Sequence, residues 1–256
     1  YLQSIYCRSN SMIIYGVNPV RDFVSFFPEK ISRVFLSEAK MDKSLPEYSE
    51  IISKIPLIPS CDIKYVSEKE LQRMTNTVKH QSIAAIIDID PPKNFKDLKE
   101  DIKNMTDIVL ILDHLNDPQN LGAISRTCVF FNINTIIIPK NRSVRISLGA
   151  IKASAGAIFS INIYEVSNLI NAIKELKKNH YWIIGTDING ENINDKKFNK
   201  FKGDRLAIIM GSEQKGISRI VQKSCDVFIK INRLGKTNSL NVSVAAGIFI
   251  SRFLDD

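Results

Sequence analysis

Metal ligands and crosslinking residues are scarce in this chain: its 256 residues include three histidines and four cysteines. Cys7, Cys61, Cys128 and Cys225 stand far apart, with no C-x-x-C pair and no histidine at ligand spacing. That argues against a structural zinc site and a disulfide framework, and it suits a reducing compartment such as the cytoplasm. No apolar run reaches the length that crosses a bilayer, so no membrane partner is expected. The first eleven residues carry Arg8 and several serines without an apolar centre, which does not make a secretory signal. The G-x-G-x-x-G pattern is missing, and the loop from Gly211 to Gly216 lacks P-loop spacing, so a Rossmann dinucleotide site is poorly supported. After Gly16 no glycine occurs until Gly122, which gathers the sharp turns in the C-terminal part.

What the chain does have is cationic charge, unevenly placed. Of 35 basic and 27 acidic side chains, eleven of each lie in the first 90 residues, leaving 24 against 16 beyond. A surplus of this kind suits a polyanion such as RNA, whose binding would weaken steeply with salt. Taken alone, the charge is equally that of a solvated basic face.

Hydrophobic periodicity divides the chain in two. Over residues 12–90, strands expected at Met12–Tyr15, Val34–Leu36, Ile63–Val66 and Ile83–Ile89 alternate with helices over Val20–Phe27, Leu45–Ile55 and Ser67 to about Thr75. The last helix opens on the capping box Ser67-Glu-Lys-Glu70. Pro91 and Pro92 end this unit, and 91–105, highly charged, reads as a linker. Residues 106–256 repeat the alternation with more apolar strands, at Ile108–Asp113, Thr135–Ile138, Ile161–Tyr164, Tyr181–Thr186, Leu206–Met210 and Val227–Ile231. Apolar strands separated by helices predict a largely parallel α/β sheet covered on both faces, with ligands at the carboxyl ends of its strands.

Three stretches at such strand ends carry the polar groups. In the first, Pro118 fixes a turn after Asp113, Asn120 is placed to cap a helix, and Gly122 permits a close backbone approach. Arg126 follows with a planar fork suited to phosphate. In the second, a buried strand breaks at Gly211, the loop holds Glu213, and Gly216 opens a helix. In the third, Ile231 gives way to a polar loop in which Gly235 turns the chain. Asn238 or Ser239 then caps a helix seated by Val242, Ala245, Ala246 and Phe249. Each stretch alone is equally a capped helix after a strand. His114 adjoins the first, where a loop histidine is more often structural than catalytic. Lys140, Arg142, Arg145 and Lys152 form an acid-free basic run suited to phosphate contact. Tyr181 and Trp182 read as packed strand residues, and the sequence gives no support to base stacking.

Together and in this order, the stretches resemble the SpoU/TrmH family of S-adenosylmethionine-dependent RNA 2′-O-ribose methyltransferases. The matching residues are Asn120-x-Gly122-x-x-x-Arg126, Met210-Gly-Ser-Glu213-x-x-Gly216 and Ser239-Leu-Asn-Val-Ser-Val-Ala245, with Lys152-x-Ser154-x-Gly156-Ala157 and Ile184-Gly-Thr186 between them. Ile14-Tyr-Gly-x-Asn-Pro-Val20 and His80-Gln81 resemble the ribosomal-L30e-like domain that precedes the catalytic one in the branch acting on guanosine of large-subunit rRNA. The resemblance implies a SPOUT-type trefoil knot in 106–256, which no periodicity would propose, and a homodimer. It implies S-adenosylmethionine held against Thr186, Gly211, Ile231 and Leu240. It also implies Arg126 as the central catalytic residue, with Asn120, Glu213, Ser239 and Asn241 arranging the site, and RNA, of the ribosomal kind, as substrate. A tRNA methyltransferase and a non-catalytic RNA-binding relative are the alternatives; retention of all five residues argues against the second. The chain departs from the family pattern at Asn132 for a glycine, at Asn232-Arg233 where a proline commonly follows Ile231, and at Asn238-Ser239 for a serine pair.

Overall fold

A computed structural model describes residues 11–38, 46–58 and 61–254, and the chain divides between Pro91 and Pro92 into two compact units. Cys7, Arg8 and the expected helix start at Leu45 lie outside the described residues.

The first unit is a four-stranded mixed sheet in the order β1-β4-β2-β3, formed by Ser11–Tyr15, Ile83–Asp88, Ile31–Ser37 and Asp62–Val66. β4 runs antiparallel to both β1 and β2, while β3 is parallel to β2. Five of the six residues of β4 are buried, as a central strand with both faces covered requires. Helix α1 (Val17–Phe26) buries Val17, Val20, Phe23 and Val24, one stripe at helical spacing. Helix α2 spans Pro46–Lys54, and α3 (Glu68–Thr75) is capped by Ser67, whose side chain accepts from Glu70 N. Leu71 and Met74 of α3 pack with Ile13, Phe35, Ala84 and Ile86 of the sheet. Before β4, Gln81 and Ser82 both take positive φ, 50° and 57°. The turn is pinned on several sides: Val17 N donates to Gln81 Oε1 (3.0 Å), Tyr48 Oη to Gln81 O (2.6 Å), and Ser82 Oγ to Glu68 Oε1 (2.6 Å).

The second unit is a six-stranded, wholly parallel sheet in the order β10-β8-β9-β5-β6-β7. Its strands are β5 Ile108–Asp113, β6 Thr135–Pro139, β7 Asn162–Val166, β8 Trp182–Asn192, β9 Leu206–Gly211 and β10 Val227–Lys230. The helices are α4 Phe95–Asp101, α5 Pro118–Phe130, α6 Leu148–Ser154, α7 Leu169–Lys178, α8 Arg219–Gln222 and α9 Val242–Phe253. β5 and β9 lie at the centre, and every residue of β5 is buried. The β8–β10 register jumps from Gly185↔Phe228 to Glu191↔Ile229, so the pairing is interrupted by an irregularity over residues 186–190 of β8. The turn after α5 rests on Asn132 at φ 57°, a left-handed position that asparagine tolerates in place of glycine.

The stretch 91–105, expected as a linker, is instead structured and belongs to this unit. Asn94 and Asp97 form a reciprocal capping box that opens α4. Leu98, Ile102 and Met105 are buried among Tyr164, Val166, Ile173 and Leu176, with Phe95 packed against them. These apolar residues recur at helical spacing beneath a charged outer face, and the charge conceals them in the sequence. Asp101 accepts from Lys93 Nζ and from Tyr164 Oη, both at 2.8 Å, which holds its carboxyl below the usual carboxylate range. Lys93 also bridges the edge of β7: its N donates to Ile163 O (2.8 Å) and its O accepts from Glu165 N (2.7 Å). Replacing the fully buried Leu98 by alanine is therefore expected to cost the second unit about 2–5 kcal/mol. Urea unfolding checks this, and a loss below about 0.5 kcal/mol, the range of surface substitutions, would return the segment to a linker.

Candidate active site

The carboxyl ends of β5, β9 and β10 release three loops, which the sheet order brings to one edge of the unit. β5 ends on Asp113, fully buried. One of its carboxylate oxygens accepts from Ser218 N at 2.7 Å, and the other pairs with His114 Nδ1 at 2.5 Å. Asp113 thus staples the loop after β5 to the loop after β9. His114 sits at φ 61° in that turn, in keeping with a structural place.

Helix α5 is capped by Asp117, which accepts from Gln119 N at 2.9 Å, with Pro118 in the first turn. The expected cap, Asn120, is inside the helix and 7% exposed. Asp117 and Asn120 are both good caps, and proline in the first turn favours the residue before it, so Asp117 takes the position. Gly122 meets helix α6: a Cβ there would stand 2.3 Å from Ala150 O and 2.7 Å from Ala153 Cβ. The close approach expected at Gly122 is therefore a helix crossing, and it fixes the height of Asn120 above the sheet.

After β9, Ser212 and Gly216 exchange backbone hydrogen bonds of 2.9 and 3.1 Å. Gly216 takes φ 64°, so it closes a tight hairpin and does not open a helix; α8 starts at Arg219. A Cβ on Gly211 would lie 2.2 Å from the Gly216 carbonyl carbon. This hairpin holds Glu213 over α5, where Glu213 Oε1 accepts from Asn120 Nδ2 at 2.5 Å.

After β10 the chain runs exposed from Asn232 to Asn241. Helix α9 begins at Val242 with Asn241 as its cap, later than the expected Asn238 or Ser239. Asn241 Oδ1 accepts from Ser243 N at 2.8 Å, and its Nδ2 donates to Asn120 Oδ1 at 2.9 Å. That second bond selects the cap, and no local rule could have shown it. Gly235, expected to turn the loop, does not take a positive φ.

Asn120 therefore joins all three loops: it donates to Glu213 and accepts from Asn241. Arg126 and Ser239 stand apart. Both are exposed, and among the described residues neither has a hydrogen-bond or ion-pair partner. Arg126 is six residues after Asn120, roughly 9 Å along the helix and on another face. The basic residues Arg142 and Arg145 are exposed on a loop that Val144 N ties to Leu115 O at 2.6 Å, beside the first motif.

The residues expected to hold the cofactor lie in β8, at the end of β9 and in or next to the loop after β10. Thr186 Oγ1 donates to Ile209 O at 2.9 Å, where the β8–β9 ladder stops. Gly211 ends β9, Ile231 follows β10 half-buried, and Leu240 is 50% exposed. Leu234 and Ile188 are exposed as well. Among the described residues, no backbone–backbone hydrogen bond engages residues 232–240. Unbonded amides beside uncovered apolar side chains fit a ligand that combines a hydrogen-bonding ring with an apolar surface, as adenosyl groups do. Two departures from the family pattern meet across this loop: an Arg233 guanidinium nitrogen donates to Asn238 Oδ1 at 2.9 Å.

Asn120→Asp would set a second carboxylate against Glu213. One of the pair must then keep its proton, with a folded-state pKa above its unfolded value. The cost is absent below the ordinary carboxylate range and grows as pH rises through it. Urea unfolding is expected to show a penalty at pH 8 that shrinks toward pH 4; a pH-independent penalty would place the two side chains apart.

Comparison with known proteins gives the family. Residues 107–251 match the SpoU rRNA Methylase family, and residues 13–92 match the RNA 2′-O ribose methyltransferase substrate binding domain. A Staphylococcus aureus (strain COL) protein, provisionally named a TrmH family tRNA/rRNA methyltransferase, is 34% identical over 244 residues, 93% of each chain. The similarly named YacO of Bacillus subtilis (strain 168) is 35% identical over 224 residues, 86% of each chain. Among solved structures, the AdoMet-bound rRNA methyltransferase from Sinorhizobium meliloti shares the fold with a TM-score of 0.71 at 21% identity, covering 95% of this chain and 87% of that one. The SpoU methyltransferase AviRb from Streptomyces viridochromogenes, solved with AdoMet, gives 0.70 at 16%, covering 96% and 90%. The two matched domains and the relatives aligned over most of their length have one explanation: the chain belongs to the SpoU/TrmH family and is an S-adenosylmethionine-dependent RNA 2′-O-ribose methyltransferase.

Proposed function

We propose that the ribose methylated is that of a guanosine in large-subunit rRNA, in the cytoplasm, with Arg126 as the central catalytic residue. The observation that carries the site assignment is the junction of Asn120, Glu213 and Asn241 at the strand ends, next to the open loop after β10. S-adenosylmethionine, when bound, supplies the electrophilic methyl group; Thr186, Gly211, Ile231 and Leu240 are the residues that would hold it. The protein's task is to position the ribose hydroxyl and to allow its proton to leave. Arg126 stays protonated under nearly all conditions, so it serves as a clamp on the phosphate beside the target ribose, and phosphate or water takes the proton. Glu213, braced by Asn120, presents its carboxylate at the same edge, and Ser239 and Asn241 add uncharged donors there.

A homodimer completes this reading. Val129 and Phe130 on α5 and Val244 and Ile248 on α9 are exposed apolar residues, Phe130 at 81%. They flank the line where Gly247 faces Thr127 across the two helices. A second copy covering them would bring Arg126, on the same helix, to the interface. Helix α9 follows β10 at the sheet edge and packs on β9 and α5, and the trefoil knot is part of the same proposal, carried by the family resemblance. The rRNA preference rests on the ribosomal-L30e-like N-terminal unit; the relatives' names carry tRNA as well as rRNA, so a tRNA target is the second reading. Mapping 2′-O-methyl groups in both RNA classes from cells lacking the protein decides between them: a site missing only from tRNA overturns the rRNA assignment.

Arg126→Ala is expected to lower kcat about 100-fold or more while leaving calorimetric affinity for S-adenosylmethionine within about twofold, since no cofactor contact is assigned to Arg126. Arg126→Lys keeps the charge and loses the fork. If it turned over at near the parent rate with intact RNA binding, the clamp would be wrong.

A further inference from the structure

One aromatic surface of the catalytic unit has no role in the site above. Trp182, the single tryptophan of the chain, opens β8 with 43% of its surface exposed. It meets Phe201 edge-on at 5.3 Å between centroids; Phe201 in turn stacks on Phe198 at 6.1 Å and meets Phe253 edge-on at 6.4 Å. These three phenylalanines are buried, so the indole is the one exposed member of a fixed aromatic ladder. In front of it lies a cavity of about 230 Å³, whose walls include Phe201, Glu191, Asp226, Lys197 and Lys200.

The polar groups of this cavity are of two kinds. Asp226 accepts from Ile183 N at 2.8 Å and from Lys177, and Glu191 pairs with Lys197; both carboxylates remain part-exposed. Lys200 lies 5.0 Å from the Phe201 ring centroid and has no carboxylate partner among the described residues. An apolar side chain from a protein partner would use the indole and leave the carboxylates and the free lysine idle. A nucleotide uses all three: its ring stacks on the indole, its base N–H groups meet the carboxylates, and its phosphate meets the lysine. Arg252 ties this region to the last helix, through Asn199 Oδ1 at 2.6 Å and Ile193 O at 3.1 Å.

The cavity is separate from the cofactor loop. Trp182 pairs with Leu206 at the amino end of β9, and Gly211 is five residues further, roughly 17 Å along the strand. We propose that this cavity is a second RNA contact, in which an unpaired nucleotide of the substrate stacks on Trp182 and sets its phosphate against Lys200. The inference rests on the RNA-methylating function.

Because Trp182 is the only tryptophan, indole emission reports on this cavity alone. Titration of the full chain with an unstructured single-stranded oligoribonucleotide at low salt, without cofactor, is expected to quench that emission to saturation. Lys200→Glu, which keeps the indole, is expected to move the midpoint about tenfold to higher RNA. Trp182→Ala is expected to raise KM for RNA about 5- to 100-fold with kcat unchanged at saturating RNA. RNA that binds in a filter assay without altering emission, or a midpoint that Lys200→Glu leaves in place, overturns the proposal. Methyl transfer that continues with the parent KM in Trp182→Ala overturns it too and leaves the methyltransferase reading intact. Failure of the oligoribonucleotide to bind in either assay overturns the second contact and leaves the family assignment, which rests on the two matched domains, in place.

Discussion

The active edge depends on one neutral amide. Asn120 is buried, and it must donate to a carboxylate on one loop while accepting from an amide on another. A carboxamide offers both capacities without charge, on two separate atoms that reach different loops, and asparagine is shorter than glutamine and stays within the helix groove. An aspartate would confront Glu213 with like charge, and an apolar residue would leave two loop groups without their partner. Three loops that are far apart in sequence are thereby held to one geometry, without any covalent or metal crosslink. Among the described residues no cluster of metal ligands occurs, and Cys61, Cys128 and Cys225 are free thiols. Burial pushes Cys128 and Cys225 up to about 12, which keeps them as inert packing.

Two backbone constraints make that amide effective. The α5–α6 crossing at Gly122 admits no side chain, which sets the depth of Asn120. The hairpin closed by Gly216 sets the position of Glu213, and Asp113 ties the far end of that hairpin to β5. The buried carboxylate of this frame, Asp113, is bonded on both oxygens, to His114 and to Ser218 N. The cation proposed to grip substrate, Arg126, is kept outside it and, among the described residues, unpaired. A guanidinium already engaged by a carboxylate would have to break that bond before gripping phosphate.

The sequence carried the alternation of strands and helices, the break at Pro91-Pro92 and the three polar stretches, because each is written in local periodicity and turn chemistry. It did not carry α4, whose Leu98 and Ile102 are hidden among lysines and acids that face outward. Nor did it carry the true start of α9. Asn238, Ser239 and Asn241 are all competent caps, and the choice falls on Asn241 because of a bond to Asn120, 121 positions away. The joining role of Asn120 was invisible for the same reason: its partners come from two other loops. The family resemblance named these residues without showing which of them touch.

The same division explains why the loop after β10 can be open while its neighbours are rigid. Residues 232–240 make no backbone–backbone bonds among the described residues, and the loop is braced across its mouth by Arg233 and Asn238. A ligand that supplies backbone partners and covers Leu234 and Leu240 would order this loop at the moment of binding, and the ordering entropy would be spent then. Asn241, at the end of the loop, is already fixed by Asn120. Binding at this loop would therefore act on Ser239, which lies within it, and leave Asn241 held by its bond to Asn120.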